Sequence, residues 1–199
     1  DAVPSPDGRR IAFTALDKLY VADLPNGTPR RVTNAETGEY YPAWSPDGTA
    51  LAYVTWDGNE GYLMRTNGSG GQPQRLIQAS AYYQVPAWSP DGRRIVGVKA
   101  AARNLQEADG PTGDGQGAEF FWVSSTGGEP TTIRPTGGNL GAPHFTADTG
   151  RIYVYGYPLF GPSEVTAALA SFRWDGTDLK QHLQVTGPLP LGFFARSGP

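Results

Sequence analysis

The tetrapeptide Ser-Pro-Asp-Gly stands three times in this chain, opening at Ser5, Ser45 and Ser89, and each copy runs straight into an aliphatic stretch: SPDGRRIAFT, SPDGTALAYV and SPDGRRIVGV. A weaker fourth copy, TADTGRIYVY, begins at Thr146. Its chemistry fixes a tight bend. Proline presets φ at the second turn position, aspartate can bond its own backbone, and glycine closes the turn. The aspartates Asp7, Asp47, Asp91 and Asp148 recur at intervals of 40, 44 and 57 residues. A chain that makes the same bend at such a period must fold as an array of similar small units.

Each unit reads as four strands. A short strand ends at the turn (Ala43-Trp44, Ala87-Trp88), and an aliphatic or β-branched one follows it (11–14, 51–55, 95–98, 152–155). A third strand is expected over 18–24, 62–66, 120–124 and 170–174, then a glycine turn, then a fourth strand over 30–33, 74–77, 131–134 and 180–185. No amphipathic helical period interrupts this pattern, and 27 glycines with 18 prolines, against a combined ordinary usage of about 12%, supply the turns. The predicted class is all-β, a β-propeller of four-stranded antiparallel blades that share their cores by stacking. The expected blades are 1–35, 40–79, 84–135 and 141–186, in one array over 1–199, with 187–199 a tail or the start of a further blade. A column of Trp44 and Trp88, continued by Val3 and Phe145, is expected to pack between blades. Ala195-Arg196-Ser197-Gly198 falls where a fifth copy of Ala43-Trp44-Ser45-Pro46 would begin, so the array is expected to be an open sector of a larger propeller.

Composition excludes several functions. A net charge of −3 leaves no electrostatic footprint for nucleic acid, and no apolar run is long enough for a membrane-spanning helix. Without cysteine there is no disulfide or thiolate chemistry. The two histidines, His144 and His182, lie 38 residues apart and form no HxH or HExxH pattern. A GxSxG nucleophile elbow and a GxxxxGK[ST] phosphate loop are both missing. TWDG (55–58) and RWDG (173–176) occupy different turns of their units, so they are not one repeated signature.

SPDG followed by an aliphatic strand resembles the PD40, or TolB-like, propeller repeat, which occurs in the periplasmic TolB protein, in tricorn protease and in prolyl-oligopeptidase-type peptidases. The resemblance spans 1 to about 186. The stretches IAFTALDKLYVADLPNGTPRRVT, AYYQVPAWSPDGRRIVGV and FRWDGTDLKQHLQVTG are similar to the propeller portion of bacterial amidohydrolases that join such a propeller to a metal-dependent hydrolase domain. That likeness implies a non-catalytic part of a larger exported, periplasmic or otherwise extracytoplasmic enzyme. Any metal ion would belong to the hydrolase domain, so this chain itself is expected to hold no cofactor and no catalytic residue. Its partners would be the remaining blades and the hydrolase domain. The alternatives are a TolB-like module binding a protein or peptide, and the propeller of a prolyl-oligopeptidase-type peptidase. Exposed faces of the terminal blades would favour self-association.

Within each unit the Ser-Pro-Asp-Gly turn and the third-to-fourth strand turn share one rim, and everything irregular collects on the other. That second rim is the candidate binding face. It carries the paired tyrosines Tyr40, Tyr41, Tyr82 and Tyr83, and Trp56 with Asp57. A glycine-rich insertion from 101 to 119 adds Asp109 and Asp114, a second insertion from 156 to 164 adds Tyr157 and Phe160, and His144 replaces a small residue near the channel wall.

Overall fold

The computed structural model describes residues 2–101, 119–133, 139–157 and 164–188. The insertion residues Asp109, Asp114 and Phe160, the Tyr157 side chain, and the segment 189–199 lie outside the described residues. Among the described residues sixteen strands fall into four sheets, each ordered as a meander. The first comprises β1 (Ala2–Pro4), β2 (Arg10–Ala15), β3 (Lys18–Asp23) and β4 (Arg30–Arg31). The second comprises β5 (Gly38–Trp44), β6 (Ala50–Trp56), β7 (Gly61–Asn67) and β8 (Gln74–Arg75), and the third β9 (Tyr82–Trp88), β10 (Arg94–Ala100), β11 (Glu119–Ser124) and β12 (Thr131–Ile133). The fourth holds β13 (Asn139–His144), β14 (Arg151–Tyr157), β15 (Glu164–Arg173) and β16 (Lys180–Pro188). All described pairings are antiparallel, as the turn pattern predicts. The chain forms two compact units, Asp1–Thr132 and Ile133–Pro199.

In the first unit the three Ser-Pro-Asp-Gly turns are near-identical. The Ser5 hydroxyl donates to Asp7 Oδ1 at 2.6 Å and accepts the Arg10 amide at 2.9 Å, while Asp7 accepts the Arg9 amide at 3.1 Å. Ser45 and Ser89 repeat these bonds with Asp47 and Asp91. Gly8, Gly48 and Gly92 stand at φ of 68°, 69° and 69°, the left-handed region open to glycine. Serine is therefore part of the turn's chemistry: its hydroxyl is buried between the carboxylate and the strand that follows.

Adjacent sheets of this unit are joined by their first strands. The indole N–H of Trp44 donates to the Val3 carbonyl at 3.0 Å, and that of Trp88 to the Ala43 carbonyl at 3.0 Å. Aligned on the turn, Trp44 and Trp88 correspond to Pro4, and Ala43 corresponds to Val3. Val3 therefore packs against the same inter-sheet core as Trp44 but one position off the tryptophans, where it also supplies the carbonyl acceptor. Behind each indole lies a core: Ala12, Leu19, Val21, Val32, Leu51 and Tyr53 between the first two sheets, and Val54, Leu63, Leu76, Ile77, Ile95 and Phe121 among those between the second and third. In the first two sheets the fourth strands are shorter than the sequence predicts, because after two residues the chain turns inward. Val32 and Leu76 keep a backbone bond to Leu19 and Leu63 but bury their side chains in these cores. The first strands are longer, seven residues in β5 and β9, because each absorbs a bulge before its proline.

Glu39 is a second link between the first two sheets. It is fully buried, and its carboxylate accepts the Leu19 amide at 3.0 Å and the Thr33 hydroxyl, with Arg31 at 4.0 Å. Its amide donates to the Asp17 carbonyl and its carbonyl accepts the Thr14 hydroxyl, both at 3.0 Å.

In the second unit the turn has changed chemistry. Asp148 accepts the Gly150 amide at 2.8 Å, and the buried Arg151 braces the sheet through Ser171 and Asp178, at 2.8 and 2.7 Å. Phe145 stacks on Trp174, whose indole donates to the Thr149 carbonyl. One sheet face buries Ile152, Val154 and Phe172, while Tyr155, Leu183 and Val185 stand exposed.

Two outcomes follow from these bonds. The serine hydroxyls foremost, then the backbone amides, hold the Asp7, Asp47 and Asp91 carboxyls below the ordinary range. A depressed folded-state value contributes stability above the unfolded value and loses it as pH falls through the folded one. Melting temperature should therefore drop as pH is lowered below about 4, and Ser45→Ala should shrink that acid-side drop. Replacing Glu39 by alanine strands the Leu19 amide and the Thr33 hydroxyl in the core. Urea unfolding should show a loss of roughly 3 kcal/mol, with Glu39→Gln, which keeps an acceptor, costing less.

Candidate functional site

The irregular rim of the first unit is built by the β2–β3 and β6–β7 turns and by the starts of β5 and β9. The bulges position its side chains. Register shifts between Tyr40 and Ala43 in β5, and opposite Val96–Val98 in β9, put Tyr41 at φ 53° and Val85 at φ 43°. Both residues precede a proline, Pro42 or Pro86, and Val85 is β-branched, so each site carries strain of about 1–3 kcal/mol. A bulge re-aims the side chains on either side of it.

At the start of β5, Tyr40 folds back over Gly38, where only glycine leaves room for the ring. Burial first, then the neighbouring Asp17 carboxylate, raise the pKa of the Tyr40 hydroxyl. Asp17 and Leu16 form the two-residue β2–β3 turn at φ 58° and 50°, leaving Leu16 92% exposed at its tip. Burial, supplemented by the charge of Tyr82 and a hydrogen bond to it, pushes Tyr41 up to about 12. Trp56 meets Tyr82 edge-on, with ring centroids 5.2 Å apart. Four of the sequence-predicted residues, Tyr40, Tyr41, Trp56 and Tyr82, are thus brought together, with Asp17 as their carboxylate.

The others are placed differently. Tyr83 points into the core between the second and third sheets, edge-on to Phe121 at 5.4 Å, with its hydroxyl on the Ala79 carbonyl at 2.8 Å. Asp57 braces its own loop, accepting the Glu60 and Asn59 amides at 2.8 and 2.9 Å, and these two bonds lower its pKa. His144 belongs to the second unit, stacked on Tyr155 at 5.1 Å. Sequence reading passed over Asp17 and Leu16, although an Ala-Leu-Asp-Lys step between two strands leaves room for only a two-residue turn. Among the described residues no group of three or more histidine, aspartate or glutamate side chains is placed to hold a metal ion, and no helix is long and apolar enough to cross a membrane. The site offers aromatic faces, tyrosine hydroxyls and one carboxylate, which is the chemistry of binding by stacking and hydrogen bonding.

Alkaline titration followed by tyrosinate absorbance should show a late component near pH 12 that loses amplitude in Tyr41→Phe and in Tyr83→Phe, the second also raised by burial to about 12. The raised values mean that the unfolded chain releases these protons first. Stability should therefore fall as pH climbs from about 10, the ordinary tyrosine value.

The PD40 family model, described as the TolB beta propeller domain, matches residues 3–140. Among solved structures the chain is similar to a TolB-like protein of Agrobacterium tumefaciens, with a TM-score of 0.70 and 21% identity over 94% of this chain and 66% of that one. TolB of Acinetobacter baumannii gives a TM-score of 0.61 at 15% identity, covering 88% of this chain and 52% of that one. An oligogalacturonate lyase in complex with manganese gives 0.64 at 15% identity, covering 92% and 52%. At these identities the likeness is one of fold, and the chain spans about two thirds and one half of the two TolB structures' own lengths. No curated protein matches the sequence. The repeated turn, the four meander sheets and the family match together make this chain a member of the TolB beta propeller domain family.

Proposed function

We propose that the chain is the non-catalytic propeller portion of a larger exported amidohydrolase-type hydrolase, where it serves as scaffold, gate or interaction surface for the catalytic domain. The reading rests on the family membership, together with the resemblance of the stretches between the turns to amidohydrolase propellers. The use of polar side chains in the described blades supports it. The buried serines close turns, Glu39 and Arg151 pin strands, and each has its partners within the fold. The irregular rim, with Tyr40, Tyr41, Trp56 and Tyr82 clustered at the strand ends, is the surface proposed to face the catalytic domain or its substrate. Any catalytic metal would be held by histidines and carboxylates of that domain, and the enzyme would work outside the cytoplasm.

A second reading is favoured by the two TolB structures among the similar folds: a propeller whose irregular rim docks a protein or peptide without any enzyme attached. The two readings separate on the encoded flanking sequence and on activity. The full open reading frame should encode paired histidine metal ligands beside the propeller, and its product should hydrolyse amide substrates in a metal-dependent way, while this chain alone with added zinc should not. A reading frame without such ligands, whose product is inert, would remove the hydrolase reading and leave the docking one.

A further inference from the structure

The regular rim, formed by the Ser-Pro-Asp-Gly turns, carries a site of its own. There the two sheet interfaces of the first unit differ at equivalent positions. Between the first and second sheets, Arg10 lays its guanidinium over the Trp44 ring, 4.5 Å from its centroid, and donates from Nη2 to the Gly48 carbonyl at 2.6 Å. The Pro6 ring closes one side of this cradle. A Cβ placed on Gly48 would meet Pro6 Cδ at 3.6 Å and Arg10 Nη2 at 3.7 Å. Gly68 lies alongside, 3.3 Å from Arg10 Nη1 when given a Cβ.

Between the second and third sheets the same walls recur. Trp88 stands for Trp44, Gly92 for Gly48, and Pro46 for Pro6, with Pro46 Cδ 3.9 Å from a Cβ placed on Gly92. The residue at Arg10's position is Ala50, packed in the same core cluster as Trp88. Its methyl group reaches neither the ring face nor the carbonyl as a guanidinium does. At Gly68's position stands Ser125, which adds a hydroxyl. The result is an open cavity of about 440 Å³ lined by Pro46, Asp47, Trp88, Asp91, Gly92 and Ser125, among others. Arg65, from the position that Val21 holds in the first sheet, also reaches the cavity. Its guanidinium stays 5.9 Å from the Trp88 centroid, near the outer limit of a useful cation–π contact.

We propose that this cavity binds the guanidinium of an arginine side chain presented from outside the chain, in the cradle that Arg10 fills from within at the neighbouring interface. The chemistry of the walls is one-sided. An aromatic face, a backbone carbonyl, a hydroxyl and two carboxylates all suit a planar cation that has five N–H donors and no acceptor. Among the charged residues that line the cavity, Asp47 and Asp91 face Arg65, with Arg93 and Arg94 close enough to act on Asp91, so the stacking face and the acceptors, more than net charge, select the ligand. A lysine ammonium has the charge but not the flat face that stacks on Trp88, and an anion would meet both carboxylates. Such a site would act whichever catalytic domain, if any, accompanies the propeller.

The test follows the indole Nε1–H signal of Trp88 in nitrogen–proton correlation spectra while N-acetyl-arginine amide is titrated into the whole chain, with N-acetyl-lysine amide and acetate as comparisons. The arginine probe should shift that signal saturably, and the lysine probe should bind at least about threefold more weakly. Ala50→Arg, which fills the cradle from within, should abolish binding while keeping a native spectrum. Arg65→Gln should tighten binding by about threefold by removing the competing cation. An unmoved Trp88 signal in the native chain would overturn the proposal, as would undiminished binding by folded Ala50→Arg. Saturable binding of acetate that Arg65→Gln abolishes would make the cavity an anion site and equally overturn it. Arg65→Gln lies outside the hydrophobic core clusters, so the test stands even if Ala50→Arg fails to fold.

Discussion

The indole N–H of one sheet reaching the backbone carbonyl of the sheet before it is the contact around which the first unit is organised. A four-stranded meander of about 40 residues has two faces and too little bulk to cover either, so it must lend one to a neighbour. Trp44 and Trp88 do this in a single residue. Their rings cover the apolar face, and their one polar atom is satisfied by Val3 and Ala43 across the gap. Because the indole sits directly beside the Ser-Pro-Asp-Gly turn, the geometry of the turn sets the spacing of the sheets. The serine hydroxyl and aspartate that rigidify the bend are thus also part of how the sheets stack.

Placing that contact at the turn end leaves the other end of each first strand free to vary. There the bulges before Pro42 and Pro86 hold Tyr41 and Val85 in a conformation their residue types resist, and the tyrosines and Trp56 gather around them. Strain and irregularity lie at one end of the strands and regular hydrogen bonding at the other. A scaffold divided in this way can alter its binding rim without disturbing its fold. Glu39 marks the boundary. It lies one residue before the cluster, yet every polar atom it offers is taken up by the first sheet.

Much of the fold was legible in sequence because it is local. Proline, aspartate and glycine act on their own backbone within four residues, and alternating aliphatic stretches declare strands without reference to anything distant. What could not be read lies between residues far apart in the chain. Val3 packs between the sheets as an apolar residue beside the turn is expected to, but only the stacked sheets reveal that its carbonyl is the partner of the Trp44 indole. Nothing near Glu39 in sequence announces its bond to the Leu19 amide 20 residues earlier. Tyr82 and Tyr83 form an adjacent pair of identical residues, and their opposite fates follow from strand alternation. One meets Trp56 on the rim, and the other enters the core against Phe121. The exchange of Arg10 and Val21 for Ala50 and Arg65 was invisible for the same reason, as it needs both interfaces to be overlaid.

The indole bond also has a direction. At both described junctions the donor belongs to the later sheet and the acceptor to the earlier one, so the two faces of a blade are different and not self-complementary. Such a join is heterologous: it can continue a series but cannot close a pair about a twofold axis. Blades of this kind have a polarity, like the two ends of a filament subunit, and a duplicated blade would find a matching surface on each side only when inserted in the same sense. Growth or shrinkage of such arrays by whole repeats therefore keeps the same sense of interface.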